Sequence, residues 1–73
     1  MTRADVAIAP EGTIDLFHVL SRRAERWVDD NVDPNAQRFG GALVVEHRFA
    51  TDLAHGMVAD GLRVQSLRPA VVL

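Results

Sequence analysis

Between Gly40 and Leu62 the chain reads GGALVVEHRFATDLAHGMVADGL, and the spacing of its apolar residues changes once, at Glu46. Before that point Ala42-Leu43-Val44-Val45 is a continuous apolar run opened by a Gly-Gly turn signal. That is the pattern of a short strand buried on both faces. After it Phe49, Ala50, Leu53, Ala54, Met57 and Val58 recur at helical spacing, as a broad apolar face. Gly61 stands where a left-handed C-terminal cap is needed, and Leu62 where the hydrophobic lid of such a cap belongs. A strand that runs directly into a helix of this kind requires a sheet for the helix to pack against.

The flanking segments supply that sheet. Thr2-Arg3-Ala4-Asp5 reads as a frayed start, and Val6 and Ile8 alternate with Ala7 and Ala9 as a short strand that Pro10-Glu11-Gly12 ends as a turn. In Thr13–Leu20, Ile14, Leu16, His18 and Leu20 share one face while Asp15, Phe17 and Val19 share the other, which predicts a covered strand in mid-sheet. Ser21 is a good N-cap for a helix from Arg22 to Asn31, with Ala24, Trp27, Val28 and Val32 inward. Its charges run against the helix dipole, Arg early and Asp late, a cost of about 0.3–1 kcal/mol per exposed charge. Asp33-Pro34-Asn35 ends this helix and begins a loop to Gly41. Leu62–Leu67 reads as a half-exposed edge strand broken by Arg68-Pro69, and Ala70–Leu73 as a last short strand or an exposed apolar end. The expected fold is α+β: one domain over residues 1–73, a three- to four-stranded sheet in the order of elements (β)βαβαβ, and two helices on one face. The other face of the sheet is left to seek a partner.

Length and composition narrow the function classes. A chain of 73 residues buries only ~60% of its surface, and with no cysteine it has neither disulfide staples nor thiolate chemistry. Self-association, as a homodimer, is one expected remedy. No apolar run approaches the ~20 residues of a membrane span, and the N-terminus does not read as a signal peptide, so a cytoplasmic location is expected. A net charge of −2 lacks the basic footprint of a nucleic-acid protein. All eight basic residues are arginine, which the equally abundant Ala and Val trace to GC-rich coding rather than to selection for bidentate contacts.

Several constellations bear on chemistry. Asp29-x-Asn31-x-Asp33-x-Asn35 imitates the start of a calcium loop but carries Pro34 where a Gly must turn the chain and Gly40 where a bidentate Glu must stand. Helix termination by Asp and Asn explains it better. His18, His47 and His55 lack the i, i+4 spacing of a helical zinc pair, so no metal is expected. Glu46-His47-Arg48 lies at a strand-to-helix junction, where amides and an imidazole are able to meet a ligand, yet no nucleophile or phosphate loop accompanies it. Its simpler reading is a polar first helical turn; no catalytic residue and no cofactor is expected. Arg22, Arg23 and Arg26 make a short positive ridge with Arg48 nearby, interleaved with Glu25, Asp29 and Asp30. Trp27 reads as core. Phe39, in a glycine-flanked loop beside Arg38, reads as loop packing or as a partner anchor, since aromatics next to arginine are typical interface hot spots. Gly56 costs its helix roughly 1 kcal/mol against Ala, and marks either a close approach or a tolerated defect.

The run from Gly40 to Phe49, with Asp52-Leu53 and Ala59-Asp60-Gly61-Leu62 after it, resembles segments of small accessory proteins of phages, plasmids and integrated elements. The resemblance covers about half of the chain and carries no assigned functional residue. It implies a short accessory product of the kind that binds and blocks a host complex, with CRISPR and restriction machinery the usual targets. The expectation is therefore a non-enzymatic protein-binding module, an anti-CRISPR-like inhibitor acting by steric block. Its contact residues would be Arg22, Arg23, Arg26, Arg38, Phe39 and Arg48, or the Leu62–Leu73 edge and tail. The alternative is a nucleic-acid-binding accessory protein that uses the arginine ridge.

Overall fold

A computed structural model describes residues 3–66. The elements run β1 (Val6–Glu11), β2 (Ile14–Val19), α1 (Arg22–Asn31), β3 (Arg38–Phe39), β4 (Ala42–Glu46), α2 (His47–Ala59) and β5 (Val64–Ser66). They form an α+β fold around one five-stranded mixed sheet of order β3-β4-β2-β1-β5, in which only the β1–β5 pair is parallel. The sheet thus has five strands rather than three or four, and the added strand is β3. It lies in the segment expected to be a loop. Gly40 and Gly41 both take positive φ, +54° and +87°, as a two-residue hairpin with both central residues left-handed demands. That turn folds Phe39 back onto Ala42 and Arg38 onto Leu43. A second hairpin joins β1 to β2 through Gly12-Thr13, so β1 continues through Pro10 instead of ending before it. Among the described residues β5 pairs with Val6–Ile8 alone, so Pro10 breaks no described ladder on that side of β1.

Register assigns the faces. Val6, Phe17 and Leu43 lie on one side and join Ala24 and Val28 of α1, and Ala50 and Met57 of α2, in a single core. The apolar stripe of α2 is narrower than its spacing predicted. Ala50 and Met57 are buried, but Phe49 and Val58, at the two margins of the stripe, are 52% and 56% exposed. A helix lying on a twisted sheet buries an arc narrower than i and i+1 positions together cover, and Arg48 stacks over the outward Phe49 ring at 4.7 Å. The end of α2 is as its residues foretold. Gly61 N–H donates to Val58 O and Leu62 N–H to Met57 O, the paired bonds of a left-handed cap, and Leu62 is buried as its lid.

Ser21 caps α1, its Oγ accepting from Ala24 N–H at 3.2 Å. The same hydroxyl donates to Asp5 Oδ1 at 2.6 Å. Asp5 is no part of a frayed start: it is 6% exposed, receives Arg23 on both oxygens and accepts Arg63 N–H at 2.9 Å. The Arg23 guanidinium, the Ser21 hydroxyl and the Arg63 amide together hold its carboxyl far below the ordinary carboxylate range. The carboxylate also places beside the start of α1 the negative charge that this helix's own sequence supplies only weakly. Leu67 of the expected last strand, Arg68-Pro69 and the Ala70–Leu73 tail lie outside the described residues.

Candidate functional site

The six residues expected to contact a partner do not share one surface. Arg22, Arg23 and Arg26 lie on α1, but Arg23 is fastened to Asp5 and donates to Gly61 O at 2.6 Å, so it ties α1 to the α2–β5 turn. Arg48 donates to Glu46 Oε2 at 2.9 Å and covers Phe49. Arg38 and Phe39 are neighbours on β3 and therefore project to opposite faces of the sheet. Arg38 faces the helices, in a recess it shares with Glu25 and Asp29 of α1. Phe39 faces away from them and is 72% exposed. The ridge of arginines is accordingly broken by its own ion pairs, and Phe39 belongs with a different set of neighbours.

Those neighbours lie on the helix-free side of the sheet. Ile14, Leu16 and His18 of β2 stand there, across from Glu46, Val44 and Ala42 of β4. Ile14, Leu16, Val44 and Phe39 frame a groove of about 390 Å³, with Glu11 and Gln37 at its margin. The alternation that predicted a strand covered on both faces is present in β2, but the even-numbered residues are only half-buried. Among the described residues no helix covers that face, because α1 and α2 both return to the other one.

A second recess lies between α2 and the sheet. Asp15 projects from β2 toward the helix side, and its side chain is only 5% exposed. Its Oδ2 lies 2.9 Å from His47 Nδ1, while the imidazole, at the first position of α2, stands largely in solvent. His47, Thr51 and His55 follow one another along the same strip of α2, and with Asp15 they line a cavity of about 190 Å³. Of the Glu46-His47-Arg48 triplet, then, the structure takes His47 into a recess and turns Glu46 and Arg48 toward each other outside it. Asp15 was visible in the sequence only as a carboxylate alternating with Phe17 and Val19, an exception on an inward face.

Trp27 is half-buried rather than fully enclosed; its indole N–H donates to Asp60 Oδ2 at 2.7 Å and its ring lies against Gly56. The calcium-like run is occupied with local bonds: Asn31 Nδ2 donates to Trp27 O, and Asp33 Oδ1 accepts Asn35 N–H. Among the described residues no group of three His, Cys, Asp or Glu side chains is placed to hold a metal ion, and no helix is long and apolar enough to cross a membrane. Comparison with protein-family models, with curated proteins and with solved structures found no match to this chain.

Proposed function

We propose that this protein is a non-enzymatic binding module that docks a protein partner on the helix-free face of its sheet and acts by steric block. The observation that carries this reading is Phe39, 72% exposed at the edge of an apolar groove built from Ile14, Leu16 and Val44. A large aromatic held by a glycine hairpin on a rigid sheet loses little freedom on binding, which is the economy of an interface anchor. Glu11 borders the groove, while Glu46 is held by Arg48, so the partner surface this face fits is apolar at its centre and carries a basic group opposite Glu11. Glu11 also opposes a phosphate backbone, and Arg23 and Arg48 already serve carboxylates of their own chain; nucleic acid is the weaker reading. A defence complex of the kind that the Gly40–Leu62 resemblance implies is the target class in keeping with this mode of action, and a second copy of the chain is a further possible occupant.

Phe39→Glu tests the proposal, because the side chain is exposed and its loss leaves the core intact. Affinity capture from a bacterial lysate, with sedimentation of the purified protein alongside, is expected to retain a partner or a dimer with the wild-type chain and to lose it with Phe39→Glu at unchanged thermal stability. Retention of the same species by both forms refutes the assignment of this face.

A further inference from the structure

The Asp15 recess lies on the opposite side of the sheet from the proposed docking face, and it has the make-up of a small-molecule site. We infer that it binds a small organic cation, a protonated amine or a guanidinium, with Asp15 as its counter-ion. The inference starts from a mismatch. A carboxylate whose side chain is 95% enclosed is expected to be surrounded by donors, as Asp5 is by Ser21, Arg23 and Arg63. Asp15 has one partner among the described residues, His47 Nδ1 on Oδ2. No fully enclosed polar side-chain atom among these residues lacks a partner, so Oδ1 keeps a window to solvent, and the cavity that Asp15 lines is that window.

The polarity of the site follows from hydrogen-bond bookkeeping. A carboxylate oxygen accepts, and Oδ1 is the one that His47 leaves open to the cavity. Asp15 Oδ1 and the Thr51 hydroxyl are then two acceptors at one recess. No Lys or Arg is among the described residues that line it. The complementary ligand carries several N–H donors and a positive charge, and the apolar wall of Ile8, Ala50 and Ala54 suits a short aliphatic stem. The N-terminal end of α2 opposes this with roughly half a positive charge, which the full charge of Asp15 outweighs. His47, His55 and Asp15 all border the recess, but among the described residues no three such side chains are placed to hold a metal ion together, and the organic cation is preferred on that ground. At about 30 Å³ per water, the 190 Å³ cavity has room for roughly six waters, the bulk of such a cation.

Titration of the full chain with n-butylammonium and with methylguanidinium, followed by amide and imidazole NMR shifts, tests the assignment. Saturable shifts are expected at His47, Thr51 and Asp15, with Phe39 and Val44 unmoved, so that the outcome is independent of the docking face. Asp15→Asn is expected to weaken binding about ten- to hundred-fold, the loss of one charge-assisted hydrogen bond. Should that variant fail to fold, Thr51→Val, at an exposed position that lines the cavity, is expected to weaken it in the same direction. A capped arginine amide separates the sources: tighter binding than methylguanidinium assigns the site to a side chain of a polypeptide, and weaker binding to a free amine. Absence of saturation with either cation, equal affinity in both variants and the wild type, or saturation by acetate or Zn²⁺ in their place overturns the inference.

Discussion

Gly56→Ala is expected to stabilise this protein, although the glycine faces a tryptophan ring. An added Cβ meets Trp27 Cζ2 at 3.6 Å and Cη2 at 3.8 Å, both ordinary van der Waals separations, so the ring need not move. Gly56 is in the interior of α2, where Gly is about 0.8–1.0 kcal/mol less favourable than Ala. Two new carbon contacts add about 0.1–0.2 kcal/mol each. The sum is about 1 kcal/mol, which for a domain of this size raises Tm by roughly 4–8 °C. Thermal unfolding followed by circular dichroism at 222 nm measures the shift directly, and urea unfolding should move its midpoint upward with an unchanged slope. The second measurement separates a gain in stability from a change in the unfolded chain's compactness. A Tm below that of the wild type would refute the reasoning, because it would mean that the Trp27 ring sits closer to the α2 backbone than 3.6 Å allows. The closeness of Trp27 would then be the reason for the glycine, and Asp60, which accepts the indole N–H, would be the residue that enforces it.

The same substitution one and a half turns later is expected to have the opposite sign. Gly61 has φ +92°, a conformation that disfavours any L side chain by about 1–2 kcal/mol, so Gly61→Ala should lower Tm although none of the described residues lies within 4 Å of its added Cβ. Asp5→Asn should destabilise the protein at neutral pH, and the gap from wild type should close in acid. The folded-state pKa of Asp5 is depressed below its ordinary value of 3.8, so its contribution is complete above that value and is lost as pH falls below it. Urea unfolding of both forms between pH 7 and about pH 2.5 checks this, and a gap that persists unchanged through that window would show that Asp5 acts by shape rather than by charge.

Much of this molecule is written in short stretches of its chain. The change of period at Glu46, the Ser21 cap, the Gly-Gly turn and the Gly61-Leu62 cap each depend on four or five adjacent residues, and local sterics and hydrogen bonding suffice to decide them. Strand β3 escaped notice because two residues carry no period, and only the hairpin geometry makes Arg38-Phe39 a strand. The breadth of the α2 stripe was overstated because helical spacing counts apolar residues without knowing how wide an arc the sheet covers.

The candidate sites were less legible for a single physical reason: sheet order is a long-range choice. Asp15 and His47 are 32 positions apart, and Asp5 and Arg63 are 58 apart; they meet because β2 lies beside β4 and β1 beside β5. The sequence alone determined the two helices with their caps and the strands β2 and β4, through interactions that reach about one helical turn. The tertiary structure decided which arginines were consumed by ion pairs, which face Phe39 shares, and which buried carboxylate was left with an imidazole and an open cavity. Those outcomes follow from packing two helices against the same side of one sheet, an arrangement whose energy no local segment contains.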